Sequence, residues 1–196
     1  MPNWCSSSYS IVGDKEEIKA LYSLMSELES RKEPLVKNGF GSSWLGCLVT
    51  ALGGDWEKVH CRGSWEGLEL IDDCQINLFT ETAWSPCNEV LDFIREKYPS
   101  LSYYYISEEP GMCIYQTNDE YGDYFPDRFK IDLCTPKGEY ETEYFSSEES
   151  MFGWFKSQFN IELKSIEEIQ ALSEKWEEEC EDAYCYAYQY EVVNDD

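Results

Sequence analysis

Residues 68–107 read LELIDDCQINLFTETAWSPCNEVLDFIREKYPSLSYYYIS, and this stretch decides the fold class. Its first part, 68–80, is rich in Leu, Ile and Phe and predicts one long strand. The Ser85–Pro86 pair is typical of a helix N-terminus, and apolar residues at helical spacing after it predict a helix. A proline ends this helix, and residues 102–107 predict another strand. The stretch therefore predicts a strand–helix–strand unit.

The same kinds of signal extend the pattern on both sides. The flanking elements are predicted as a strand at 5–12, a helix at 14–31, hairpins at 102–117 and 128–145, and a last strand at 184–193. Between the second hairpin and the last strand, two helices are predicted, each beginning with a Ser-x-x-Glu sequence, at Ser146 and at Ser165. Strands and helices thus follow one another along the whole chain.

This order of elements predicts an α+β protein with a ferredoxin-like antiparallel sheet that carries helices on one face. A C-terminal β-hairpin and two helices extend it. We expect a core at 1–125 with an insertion at about 34–67, and we expect 126–196, which ends in an acidic tail, to pack on that core. Both parts would form a single compact domain.

The composition excludes several classes of protein. The 196 residues include 40 acidic and 15 basic ones, which gives a net charge of −25. A chain this acidic repels nucleic acid, so direct binding of DNA or RNA is not expected. An aromatic content of 16% is too high for a disordered chain. No apolar run approaches 18 residues, so no membrane span is expected.

The cysteines indicate a reducing compartment. Their number is odd, no C-x-x-C pair occurs, and the start of the chain has no signal-peptide pattern. We therefore expect free thiols in a cytoplasmic protein. No G-x-G-x-x-G sequence or Walker-type lysine occurs, and no cofactor is expected. The nine cysteines are Cys5, Cys47, Cys61, Cys74, Cys87, Cys113, Cys134, Cys180 and Cys185.

Several segments resemble one known family. The chain begins MPNWC (1–5) and continues with IVG (11–13), which resembles the opening of the YubB-type ferredoxin-like family. TAWSP (82–86), followed by EPG at 109–111, is similar to that family's second signature. Cys87 stands where a second proline is common in the family.

The resemblance covers roughly residues 1–125 and implies a fold and a setting. Members of this family are small bacterial cytosolic proteins, several of them carried on plasmids or other mobile DNA. No activity is established for them, so the resemblance implies no catalytic residue and no cofactor. The family's name describes a fold, and the cysteine spacings here match no iron–sulfur pattern.

Residues that could carry chemistry are few. His60 is the single histidine and directly precedes Cys61, but neighbours in an extended segment point to opposite faces, so a Cys–His pair needs another cysteine. Cys47 could join these two around zinc, but structural zinc takes four ligands. We take Trp84, from the TAWSP sequence, and His60 as the candidate lining of a cleft. The acidic loop that begins at Asp119 lacks the ligand spacing of an EF-hand and is expected to be solvated.

The C-terminal part offers a candidate interaction surface. Residues 139–196 hold 17 acidic and 3 basic residues. Acids crowd the end of the last predicted helix, where the helix macrodipole disfavours anions. The candidate surface consists of Glu177, Glu178, Glu179, Glu181 and Asp182. A solvated face that keeps the protein in solution is the simpler interpretation of this charge.

Tyrosines alternate along the last predicted strand, at positions 184, 186, 188 and 190. Such a stripe suits a protein–protein interface if it is exposed. We expect it to be buried, as an ordinary strand face on a sheet.

Three functions follow from these observations. The first is a non-enzymatic binding or interaction module with an unidentified protein partner, for which basic charge would suit the acidic surface. The alternative is an acidic decoy that imitates DNA and inhibits a nucleic-acid-binding protein. The third is a small enzyme that uses a cysteine with His60.

Overall fold

The structure is a computed structural model, and it describes residues 2–194. Its contacts divide the chain into a first unit that ends at Asn118 and a second unit that spans Asp119–Asn194. The predicted division after residue 125 falls inside the second unit. Residues 2–194 contain five α-helices and two β-sheets, which confirms the mixed α and β class predicted from the sequence.

The first unit alternates strands and helices. Its elements are β1 (Trp4–Val12), α1 (Lys15–Ser30), α2 (Leu45–Ala51), β2 (Gly63–Asp72), β3 (Gln75–Ala83), α3 (Asn88–Lys97), β4 (Ser102–Glu109), a 3-10 turn (Pro110–Met112) and β5 (Ile114–Thr117). The strands lie in the order β2-β3-β1-β4-β5, and each is antiparallel to its neighbours. The first strand of the chain is therefore central in this unit.

Helix α3 packs on the face of the sheet to which Tyr9 points. The hydroxyl of Tyr9 donates a 2.8 Å hydrogen bond to Asn88 Oδ1, and that of Tyr103 donates a 3.0 Å bond to Asp92 Oδ1. Helix α1 buries a single apolar stripe, as its period of 3.6 residues requires. This stripe consists of Ile18, Leu21, Met25 and Leu28.

The prediction of one long strand at 68–80 is wrong. Two strands, β2 and β3, occupy this region and form a hairpin, because the chain turns at Asp73 and Cys74. The Asp72 side chain makes the turn by accepting a 2.7 Å hydrogen bond from the Cys74 N–H, an arrangement to which aspartate is suited. Strand β2 begins at Gly63 and therefore includes the last residues of the insertion predicted at 34–67.

Two predicted helix starts are also wrong in detail. Helix α3 begins after Cys87, and the backbone carbonyl of Ser85 instead accepts a 2.8 Å hydrogen bond from the Thr82 hydroxyl. In the second unit, the capping box of the fourth helix pairs Ser147 with Ser150. A serine at the third helical position here takes the place of the expected glutamate.

The second unit is a three-stranded sheet with two helices. Its elements are β6 (Phe129–Cys134), β7 (Tyr140–Phe145), α4 (Glu148–Phe159), α5 (Ile166–Glu179), β8 (Tyr184–Gln189) and a short β9 (Glu191–Val192). The sheet order is β7-β6-β8, with both pairs antiparallel. The hairpin predicted at 128–145 is thus confirmed. The single strand predicted at 184–193 is confirmed only for 184–189, because β8 ends there and Glu191–Val192 form a separate short strand.

The core of the second unit lies between one face of this sheet and the two helices. Its buried members are Phe129, Ile131, Leu133, Phe145, Met151, Phe155, Ile169, Leu172, Trp176, Ala183 and Cys185. The side chains of β6 and β8 that point the other way lie outside this core. In the part of the chain described here, no helix has both the length and the apolar character needed to cross a membrane.

Candidate interaction surface on the second unit

The second unit has a sheet face lined mainly by tyrosines, which we call the tyrosine face. The register pairs three residues of β6 each with one residue on β7 and one on β8. The resulting nine side chains share one face of the sheet. Its three rows are Tyr140, Cys134 and Tyr184, then Thr142, Asp132 and Tyr186, then Tyr144, Lys130 and Tyr188. Five phenol rings therefore surround a central carboxylate and a lysine.

Much of the tyrosine face is open to solvent. Tyr140 is 71% exposed, Tyr186 is 51% exposed and Tyr144 is 44% exposed. The prediction that the tyrosine stripe of β8 is buried is therefore wrong for Tyr186. The opposite side of the strand packs on the helices instead, where Cys185 is 1% exposed.

The rings on this face contact one another and a cation. The Tyr184 and Tyr186 rings stack with centroids 5.1 Å apart, and the Lys130 Nζ lies 5.5 Å from the centroid of Tyr144. This distance is within the range of a cation–π interaction. The face can thus hold an amino or guanidinium group against a ring.

Two of the five phenols, those of Tyr184 and Tyr140, have a raised pKa. Burial, followed by the Asp132 carboxylate, raises the pKa of Tyr184. A hydrogen bond with the Cys134 thiol raises the pKa of Tyr140, and the carboxylate of Asp182 raises it further. Asp182, one of the predicted surface acids, therefore acts on one edge of the tyrosine face.

The five acids of the candidate surface are all exposed, but they do not share one direction. Glu177, Glu178 and Glu179 are consecutive in the last turn of α5, and neighbouring helix positions point to different sides. Glu181 and Asp182 follow in the turn after the helix. The acids therefore spread around the end of α5, and two of them reach other features: Glu177 lines a hollow beside the helix, and Asp182 approaches Tyr140.

That hollow lies between α5 and β8 and has a volume of about 530 Å³. This hollow was not predicted from the sequence. The spacing of its helical residues was an available signal, because positions three, four and seven apart share a face of a helix. Its helical side is formed by Ile166, Glu167, Ile169, Gln170, Ser173, Glu174 and Glu177, and its strand side by residues 185–188.

His60 has a cysteine within reach in the first unit, as a Cys–His pair requires. The Cys87 Sγ lies 3.8 Å from the His60 Nδ1, while the backbone N–H of His60 donates a 2.8 Å bond to Glu89. Burial raises the pKa of the Cys87 thiol to about 12. Because the thiolate is the nucleophilic form, this pair lacks the lowered thiol pKa of a catalytic cysteine.

Trp84 does not line the hollow to which His60 contributes. That hollow, also in the first unit, is walled by aromatic side chains, among them Phe40, Trp44 and Trp56, and Trp84 is not one of its lining residues. Trp84 is 45% exposed and has a left-handed backbone, with φ of 75°. The structure therefore does not bring the two residues of the candidate cleft into one hollow.

The acidic loop at 119–127 is held by protein groups. The buried Asp119 carboxylate accepts hydrogen bonds from four backbone N–H groups, those of Gly122, Asp123, Tyr124 and Phe125. Between residues 2 and 194, no group of three or more His, Cys, Asp or Glu side chains is arranged to hold a metal ion.

Comparison with known proteins adds no relative. No family model, no curated protein and no solved structure matches this chain.

Proposed function

We propose that this protein is a non-enzymatic interaction module that binds a basic protein partner through its second unit. The observation that carries the proposal is the tyrosine face, with three exposed rings around Asp132. Tyrosine is enriched at protein interfaces because it supplies a large ring and a polar hydroxyl at low entropic cost.

The charge of the surroundings supports a basic partner. Asp132 lies in the middle of the face, Asp182 acts on its edge, and acids surround the nearby end of α5. Arginine and lysine side chains can stack on tyrosine rings and pair with carboxylates at the same time. The contact of Lys130 with Tyr144 is an internal example of such stacking.

The proposal extends to the fold family and setting of the first unit. Its β-α-β-β-α-β order, interrupted by the short helix α2, and its strand order β2-β3-β1-β4 support a ferredoxin-like domain, as the resemblance to the YubB-type family implies. Nine free cysteines support a reducing compartment such as the cytoplasm.

The test is a titration with octa-arginine, followed by fluorescence anisotropy. We expect Tyr140→Ala/Tyr186→Ala to bind the peptide about tenfold more weakly than the unmodified protein, because a lost cation–π contact costs about 0.5–2 kcal/mol. Tyr121→Ala is the matched control, since Tyr121 is 83% exposed in the same unit but lies in the 119–127 loop. Equal affinities for the double variant and the control would contradict the proposal.

The same titration separates this function from the acidic decoy. A decoy that imitates phosphates depends on charge. Its binding would therefore be abolished by neutralising the five acids of the candidate surface and not by removing the tyrosine rings. These acids are Glu177, Glu178, Glu179, Glu181 and Asp182. Dependence on the rings favours the interaction module.

A further inference from the structure

Strand β8 lies at the edge of the three-stranded sheet. Its only ladder partner in the second unit is β6, and on its other side lies the hollow bounded by α5. An edge strand presents unpaired N–H and C=O groups, on which another chain can form a further strand.

Two hydrogen bonds show which backbone groups of β8 point outward. The Tyr190 N–H donates to the Arg128 carbonyl at 2.9 Å, in the direction of β6. The backbone N–H and C=O groups of Tyr188 and Tyr186 therefore also point toward β6. The Cys185 N–H donates to the Ser173 hydroxyl of α5 at 2.8 Å, in the opposite direction. Because alternate residues share a direction, the N–H and C=O of Ala187 point into the hollow.

The walls of the hollow suit an extended, basic segment. Two apolar side chains of α5, Ile166 and Ile169, line the hollow together with the small Ala187 of β8. Three acids of α5, Glu167, Glu174 and Glu177, stand along its helical side, and all three are exposed. The hollow thus combines apolar lining residues, a strand edge and negative charge.

We propose that an extended segment of a basic partner adds to the edge of β8 at Ala187 as a fourth strand of this sheet, beyond the point where Ser173 of α5 already occupies the Cys185 N–H. The proposal rests on the proposed function, since it assumes the same basic partner and names how it docks. Side chains of the added strand alternate between two faces. One set lies over Ile166 and α5, and the other continues the tyrosine face beside Tyr186 and Tyr188.

This geometry determines the peptide that fits. Apolar side chains suit the set over α5, and arginines suit the set beside the tyrosines, where they can stack on the rings. The probe is therefore an acetylated octapeptide that alternates Val and Arg. The acids of α5 attract its positive charge, so its affinity falls as the salt concentration rises.

The decisive experiment compares two N-methylated forms of this octapeptide. One carries a methyl group on every valine nitrogen and the other on every arginine nitrogen, so charge and side chains are unchanged. In an extended strand, N–H groups of alternate residues point to opposite edges, and only one set can reach β8. We expect one form to bind about tenfold more weakly than the parent peptide and the other to bind within about threefold of it. Equal affinities of the two forms overturn the proposal.

Two measurements on the protein complete the test. Hydrogen exchange of the Ala187 amide is expected to slow by at least about tenfold when the parent octapeptide binds, because this N–H becomes paired. Ala187→Pro removes the outward N–H and leaves the β6–β8 ladder bonds in place, as is tolerated on edge strands, and is expected to weaken binding. An Ala187 amide whose exchange is unchanged at saturating peptide also overturns the proposal.

The outcomes separate this docking mode from the proposed function. If octa-arginine binds with the expected dependence on the tyrosine rings while the two N-methylated peptides bind equally, strand addition fails and the interaction module stands. If neither octa-arginine nor the Val-Arg octapeptide binds, both fail.

Discussion

Arg128 reaches back to the start of the loop that precedes it: its Nη2 donates a 2.6 Å hydrogen bond to the backbone carbonyl of Asp119. The same guanidinium also donates to the carbonyl of Phe125 at 2.8 Å. The Asp119 carboxylate in turn accepts bonds of 2.7 Å from the N–H groups of Tyr124 and Phe125. The two ends of the loop are therefore held by side chains of opposite charge that bind its backbone.

We expect Asp119→Ala to destabilise the second unit. Four backbone N–H groups lose their acceptor, and a buried donor without a partner costs about 1–3 kcal/mol. The free energy of unfolding from urea denaturation measures the loss. Asp123→Ala is the matched control, because the Asp123 side chain is exposed in the same loop. If both variants unfold at the same urea concentration, the Asp119 carboxylate does not stabilise the loop.

Much of the fold could be predicted because its elements carry a clear period. Apolar residues every three or four positions revealed α1, and the proline and glycine between β4 and β5 revealed their hairpin. The turn between β2 and β3 has neither residue. It depends on the Asp72 side chain bonding the Cys74 N–H, and the two strands were therefore predicted as one.

The candidate site was less predictable because it depends on which side of a strand is covered. Tyrosine alternation along β8 was visible, and the larger rings were expected to face the core. Instead the smaller Cys185 and Ala187 face the helices, where the Ser173 hydroxyl of α5 lies 2.8 Å from the backbone N of Cys185. The hollow also requires β8 to be an edge strand, and strand order is not encoded in any local period.

We expect Gly63→Ala to destabilise the first unit. A Cβ at this position would lie 2.7 Å from the Cα of Thr82 and would also meet the Glu81 carbonyl, so the backbone of β2 or β3 must move. Overpacking of this kind costs about 1–3 kcal/mol. Thermal denaturation provides the measurement, with Gly39→Ala as the control, since no atom lies within 4 Å of the Cβ position there. Equal melting temperatures for the two variants would falsify the close packing of β2 on β3.

A pH dependence follows from the contacts of Asp73 with Lys15 and Lys19. Hydrogen bonds from these two lysines lower the pKa of Asp73 to about 2. The folded state therefore holds the carboxylate ionised more strongly than the unfolded chain, where an aspartate has a pKa of about 3.9. The stabilisation is complete above about pH 4 and is lost as the pH falls toward 2.

We therefore expect Asp73→Asn to lower the melting temperature slightly at pH 7 and to have progressively less effect as the pH falls through about 2. The effect is small because both lysines and Asp73 are exposed. In a Lys15→Gln/Lys19→Gln background the same substitution is expected to change nothing. A difference in melting temperature that does not depend on pH, or one that remains in that background, would contradict the attribution of the low Asp73 pKa to the two lysines.

The cysteines are expected to react at very different rates. Cys74 and Cys113 are exposed, while burial raises the pKa of both Cys87 and Cys185 to about 12. At pH 8 a thiol with that pKa is ionised to about one part in ten thousand, and only the thiolate reacts. Mass spectrometry after brief iodoacetamide treatment should find Cys74 and Cys113 modified and the two buried thiols intact. In urea, all nine should be modified; rapid modification of Cys185 in the folded protein would contradict its burial.

The central position of β1 has a consequence for how the protein is made. Ser8 lies opposite Phe79 on β3 and opposite Ile106 on β4, so β1 leaves the ribosome long before either neighbour. Contacts between residues so far apart in sequence form slowly, because a long loop of chain must close first. Until β4 has been synthesised, β1 lacks one of its two neighbouring strands. The nascent chain then exposes the apolar residues of β1 to chaperones and to other chains.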